Sequence, residues 1–269
     1  MIIEGVRKNK DGSYEFDKKN DLNTDIVNLV TDTSGYKTID EIVFTYGYTF
    51  NKNAGRLDIK KFRDCIKHEL NNTEVFMQED IFDFVEDGIL SLDKYKDLDN
   101  FHVLVSVKPS DSNNSLFGIM KQVFSDYGYS DFIDIELLKR MCTEVEFDRK
   151  KAHDAILRQR EIENKKYSKS INQWLDEIEK QFELQKKKGN IFKVKLYKPI
   201  VARCGFSNFV KFKTKEDEQV YKELESGTDV LIMDDFLTSG STIKEIVRYL
   251  NMVNDKNNII AFTLINQNL

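Results

Sequence analysis

An α/β fold is what this 269-residue chain predicts, and three observations carry the expectation. Short continuous apolar runs at 101–107, 230–233 and 259–265 have the length and β-branched content of strands buried on both faces. Segments with apolar residues at helical spacing lie between those runs. Apolar residues make up 40% of the chain, including 19 Phe and 11 Tyr, which suffices for a core and excludes wholesale disorder. Strands alternating with helices predict a mostly parallel sheet of about five strands, flanked by helices.

Taken in order, the first forty residues are polar, with one short apolar run at 26–30. Residues 41–50 are rich in β-branched and aromatic side chains and predict a strand. A turn follows at 51–55. Leu57, Ile59, Phe62, Ile66 and Leu70 recur near helical period and predict a helix over 58–70, and Ile81, Phe82 and Val85 predict another over 78–86. The apolar run 101–107 gives way to turn-forming and capping residues at 108–114, and helical spacing resumes over 115–124. Strand, polar loop and helix make the opening half of a βαβ unit. The next strand is expected within 130–138.

Between 146 and 190 the composition changes. Lys, Glu, Arg and Gln dominate, and only a sparse stripe of Ile156, Ile162, Ile171, Leu175, Ile178 and Phe182 is apolar. One or two long exposed helices are predicted, closed by Lys186, Lys187 and Lys188, whose charge suits the negative end of a helix dipole. Such a segment reads as an inserted arm whose stripe meets a second copy or another partner, giving a homo-oligomer or complex. Residues 192–212 read as strand-rich, 243–253 as a helix, and 254–258 as a turn before the last apolar run.

Composition also narrows the setting. No stretch approaches the roughly 20 apolar residues of a membrane helix, and the N-terminus lacks the basic-then-apolar layout of a secretory signal. Three cysteines (Cys65, Cys142, Cys204) and three histidines form neither a disulfide framework nor a zinc cluster. A cytoplasmic chain with no membrane partner is therefore expected. Charge is unevenly placed. The chain carries 41 basic and 46 acidic groups, net −5, yet residues 139–213 hold 20 Lys/Arg against 10 Asp/Glu. That +10 span predicts an anionic partner, either a phosphorylated small molecule or RNA or DNA.

The segment 230–242 carries the chemistry. Four apolar strand residues lead into Asp234 and Asp235, then Phe236 and Leu237, then Thr238, Ser239, Gly240, Ser241 and Thr242 at a helix start. Backbone N–H groups at a helix N-terminus, with a glycine permitting close approach, cradle a phosphate, and four hydroxyls supplement them. Two carboxylates at the end of the strand accept hydrogen bonds from vicinal sugar hydroxyls or help to hold Mg²⁺. A phosphate site beside a diol site is the footprint of a ribose 5-phosphate.

This segment resembles the phosphoribosyl-pyrophosphate (PRPP) motif of type I phosphoribosyltransferases. The layout is most like the competence-protein-F-like branch, without the zinc module that the branch commonly carries. The resemblance implies a type I phosphoribosyltransferase-like domain over 75–269 with a helical insertion at 146–190, preceded by an N-terminal extension at 1–74. It implies that Asp234 and Asp235 hold the ribose hydroxyls and Mg²⁺ through water, and that residues 238–242 hold the 5-phosphate. Lys108, Ser110 and Asp111 would form the pyrophosphate loop, and Lys139 or Arg140 would take the departing pyrophosphate. The implied activity is transfer of ribose 5-phosphate to, or its removal from, a nitrogen base or nucleotide. The alternative is a catalytically silent PRPP or nucleotide sensor that regulates a nucleic-acid or protein partner.

Overall fold

The computed structural model describes residues 3–8, 14–17, 27–30, 36–39, 42–50, 66, 78–93, 100–107, 116–126, 132–163, 168–237 and 240–266. Their elements, in chain order, are β1 (Ile3–Lys8), β2 (Tyr14–Asp17), β3 (Val27–Val30), β4 (Tyr36–Ile39), β5 (Ile42–Phe50), α1 (Gln78–Asp93), β6 (Val103–Val107), α2 (Leu116–Asp126) and β7 (Ile133–Lys139). There follow β8 (Glu146–Phe147), α3 (Arg149–Glu163), α4 (Ile171–Lys187), β9 (Phe206–Ser207), β10 (Val210–Phe212), α5 (Lys215–Lys222), β11 (Asp229–Leu237), α6 (Ser241–Val253) and β12 (Asn258–Asn266). The chain divides into two compact units. The first comprises 1–134, 225–238 and 256–269, and the second comprises 135–224 and 239–255.

In the first unit β11 is central. It runs parallel to β6 on one side and to β12 on the other, and β12 runs parallel to β5. These are the predicted apolar runs, buried almost without a break: Val103, Leu104 and Val105 in β6, 230–233 in β11, 261–264 in β12. The sheet extends beyond the predicted five strands. β3 and β4 pair antiparallel with β5, and β1 pairs antiparallel with both β2 and β3. Part of the stretch read as an extension therefore supplies strands to the same sheet, which is mixed, with a parallel centre.

Helices α1 and α2 pack on one face of that centre, burying Ile81, Val85 and Ile89 of α1 with Met120 and Val123 of α2 against Leu104, Leu231, Met233 and Phe262. A Cβ on Gly47 would lie 2.8 Å from Gly88 Cα, and one on Gly88 would lie 2.5 Å from Leu264 Cδ1. The two glycines let α1 approach the sheet backbone. Tyr48 stacks on Phe84 at 4.3 Å between centroids, and its hydroxyl donates to Phe84 O at 2.9 Å. Of the helix expected over 58–70 only Ile66 is described, as helical and buried. The turn at 51–55 lies outside the described residues.

The second unit pairs β7 with β10 and β8 with β9, both antiparallel. Its core is aromatic: Phe182, Phe192, Tyr197 and Phe206 are all buried, with Tyr197 and Phe206 ring centroids 4.4 Å apart and Phe182 and Phe206 5.2 Å apart. The stretch 192–212, predicted strand-rich, forms two 3-10 turns (Val194–Leu196 and Ile200–Gly205) and the short strands β9 and β10. Its aromatic residues fill this core instead of a long ladder. A Cβ on Gly205 would lie 2.7 Å from Asp148 O, so only glycine lets the second turn meet the start of α3.

Helix α4 begins at Ser170, whose Oγ accepts from Gln173 N, while Gln173 Oε1 accepts from Ser170 N in return. It ends as expected, with Lys186 and Lys187 in the last turn and Gly189 in the left-handed region (φ 59°). Arg149 joins α3 to α4 through Asp176 at 2.8 Å and through Glu179. Of the six stripe residues, Ile156, Leu175, Ile178 and Phe182 are 3% exposed or less, whereas Ile171 is half-buried and Ile162 is exposed. The aromatic core of the unit therefore covers four of the six stripe residues.

Candidate functional site

Asp234 and Asp235 are the sixth and seventh residues of β11, which continues to Leu237. The strand expected to stop at Met233 thus runs through both acids. Pairing on the β12 side explains this, with Asp234 opposite Thr263 and Leu237 opposite Asn266. On the β6 side the recorded register ends at Met233 opposite Ser106. The acids therefore lie past the paired part of one neighbour and within that of the other. Ile133 donates from its N–H to His102 O, within the first unit. Open α/β sheets bind ligands beyond the carboxyl ends of their strands, the end of β11 at which the two acids stand.

Asp235 is buried, at 7% exposure, and Asp234 is half-buried with Oδ1 accepting from Asp235 N at 2.9 Å. Successive strand residues point to opposite faces, so the pair cannot chelate one ion directly. As a donor set for Mg²⁺ it fits contact from one carboxylate through water. Among the described residues no cluster of three or more His, Cys, Asp or Glu is placed to hold a metal.

Two neighbours had no sequence signal. Ser106 and Thr263 are fully buried, and neither Oγ of Ser106 nor Oγ1 of Thr263 has a hydrogen-bond partner among the described residues. Thr263 sits opposite Asp234 in β12 and shares its face. Ser106 sits opposite Met233, on the face that Asp235 also takes. A buried hydroxyl without a partner costs roughly 1–3 kcal/mol; Thr263 stands opposite Asp234, and Ser106 lies two residues short of Asp235 on its face. Only the register between strands reveals them.

In the second unit, Gly240 is the N-cap of α6, with φ 66° and ψ 1°, a left-handed conformation that favours glycine. As a glycine it brings no capping side chain of its own, and the first turn of α6 holds no acid; Ser241 and Thr242 are half-buried there. Thr238 and Ser239 lie outside the described residues, as do Lys108, Ser110 and Asp111.

Lys139 ends β7 and Arg140 follows it. Arg140 is engaged: Nε donates to Val210 O at 2.9 Å, Nη1 pairs with Glu144 at 3.4 Å, and the guanidinium lies 5.9 Å from the centroid of the Tyr249 ring. Tyr249 is eight residues into α6, or about 12 Å along its axis at 1.5 Å per residue. Arg140 thus stands beside the distal half of α6, away from its N-terminus. Glu144 is held below the ordinary carboxylate range, chiefly by the Met141 N–H it accepts and then by Lys211 and Arg140.

Farther along α6, Glu245 is buried and accepts from Arg248 Nε at 2.7 Å and Nη2 at 2.8 Å, and from Phe209 N at 3.2 Å. Arg248 also donates to Asn208 Oδ1 at 2.8 Å, and Asn208 is left-handed at φ 59°. This network ties α6 to the turn between β9 and β10. No helix among the described residues is long and apolar enough to cross a membrane. No model of a known protein family matches the chain, and no curated protein matches it either.

Proposed function

We propose that the chain binds Mg²⁺·PRPP or a related ribose 5-phosphate and transfers the ribose 5-phosphate to, or removes it from, a nitrogen base or nucleotide. The observation that carries this reading is the layout of residues 230–242: a buried parallel strand, an acid pair at its carboxyl half, and a left-handed glycine opening helix α6.

On this reading one aspartate accepts from the ribose hydroxyls, and Thr263 or Ser106 supplies the adjoining hydroxyl contact. Residues 238–242 take the 5-phosphate through backbone N–H and side-chain hydroxyl donors. Mg²⁺, when bound, neutralises the pyrophosphate. C1 of the ribose loses pyrophosphate as a nitrogen nucleophile adds, through an oxocarbenium-like transition state, so the protein's work is positioning and charge stabilisation. Arg140 is engaged with Val210, Glu144 and Tyr249; on this reading cationic support for the leaving group comes from Lys108 with Lys139 or Arg140. That engagement also supports a second reading, in which the site senses PRPP or a nucleotide without turnover.

Pyrophosphate release from Mg²⁺·PRPP with a panel of bases and nucleotides tests the activity, and calorimetry with PRPP tests binding. Asp234→Asn with Asp235→Asn is expected to abolish both while leaving the circular dichroism unchanged. Binding without release supports the sensor. Undiminished binding in the double variant refutes the site.

A further inference from the structure

We infer that the outward face of residues 187–198 is a sequence-independent docking surface for the phosphate backbone of a duplex nucleic acid. Residues 184–215 contain ten Lys or Arg and no Asp or Glu, in a chain whose net charge is −5. The fold concentrates that charge. Phe192, Val194 and Tyr197 turn inward and are buried, whereas Lys195 and Lys198 are exposed and Lys193 is half-buried. Lys187 and Lys188, both exposed, lead into the segment through the left-handed Gly189. None of these five lysines forms an ion pair among the described residues, unlike Lys186, Lys211 and Lys213, which face Glu183, Glu144 and Glu136.

The segment is held rigidly and without acid. Met141 bridges Ile191, Cys142 N donates to Asn190 O, and Phe192 N donates to Arg140 O. Arg203, only 8% exposed, donates from Nε to Tyr197 O and from Nη2 to Lys195 O, both at 3.0 Å. No carboxylate pairs with it among the described residues. A buried guanidinium usually recruits a carboxylate. Here backbone carbonyls replace it, so the clamp adds to the local positive potential instead of cancelling it.

The kind of partner follows from what is exposed. Phe192, Tyr197, Phe206 and Phe209 are all buried, so no ring of the segment is free to stack on unpaired bases. Beside the exposed aliphatic Ile191 and Leu196, the segment presents five flexible point charges, which suit phosphates and not bases. This inference stands apart from the ribose-phosphate reading, since it uses none of that site's residues.

Fluorescence anisotropy with a labelled random-sequence DNA duplex of about 20 base pairs tests it, with PRPP omitted. Five phosphate contacts predict a slope of about −4.5 for log affinity against log salt, or roughly a 500-fold loss from 50 to 200 mM. Single Lys→Gln changes at 187, 188, 193, 195 and 198 should each reduce the slope by about 1, and the five together should leave it shallower than about −1. Circular dichroism of every variant should match the wild type. The inference is overturned if the wild-type slope is already shallower than −1, or if the singles leave slope and affinity unchanged. Binding to phosphatidylserine vesicles without binding to duplex also overturns it.

Discussion

Replacing Gly47 by alanine forces a methyl group against backbone. Its Cβ would meet Gly88 Cα at 2.8 Å, Gly88 O at 3.0 Å and Leu264 O at 3.1 Å. None of these atoms can swing away as a side chain does. To reach ordinary contact, α1 must withdraw from β5 by about half an ångström or more. That displacement opens the Tyr48–Phe84 stack and lengthens the 2.9 Å bond from Tyr48 to Phe84 O. Overpacking of this kind costs about 1–3 kcal/mol. Loss of the glycine's unfolded-state freedom returns about 0.4–1 kcal/mol, so the expected net destabilisation is about 1–2 kcal/mol. Gly118, in the same unit, is the control. Its Cβ would meet nothing within 4 Å, and it is exposed on α2. Gly118→Ala should gain about 0.5 kcal/mol. Urea unfolding followed by circular dichroism measures both, with unchanged slopes. If Gly47→Ala proves as stable as Gly118→Ala, the close approach of α1 to β5 is not real.

Two further outcomes are expected. Arg248→Ala leaves Glu245 buried at 4% exposure without its counter-charge, so it should cost about 3 kcal/mol. Glu245→Gln should cost less, about 1–2 kcal/mol, because half-buried Arg248 can turn to water; urea melts that rank the two the other way refute the explanation. Burial raises the thiol pKa of Cys142 and of Cys204. Less thiolate is then present at pH 8 than in a free cysteine, so in a Cys65→Ser background both should react slowly with an aromatic disulfide reagent and quickly once urea is added. Reaction of the folded protein at the rate of free cysteine would contradict this burial.

The central strands were legible because a strand buried on both faces reads as an unbroken apolar run, as at 101–107 and 230–233. The outer strands β1 to β4 were not, since short antiparallel segments at a sheet margin need no such run. Residues 192–212 misled for a related reason: Phe192, Tyr197 and Phe206 are buried by one another, and burial in a cluster leaves the same composition as burial in a ladder. At the site, the acid pair and the glycine were visible as a linear motif. The continuation of β11 through the acids was not, because it depends on pairing with β12. Ser106 and Thr263 are invisible for the same reason, since their side-chain oxygens become notable only when strands distant in the chain are laid side by side. The contacts of Arg140 with Val210, Glu144 and Tyr249 were illegible likewise, since its partners lie far along the chain or depend on the fold.

The position of β12 bears on how the chain is made. Of the described strands it is synthesised last, yet it lies between β11 and β5, joined to both along most of its length. While a ribosome is still translating residues before 258, the facing edges of β5 and β11 have no strand to pair with. They remain open while the second unit's 135–224 and 239–255 are added. Exposed strand edges attract other chains, so the nascent protein passes through a period in which a chaperone, or slow neighbouring translation, decides between closure and aggregation. A few seconds' pause in elongation just before codon 258, at ordinary rates of about 5–20 residues per second, would prolong that exposure.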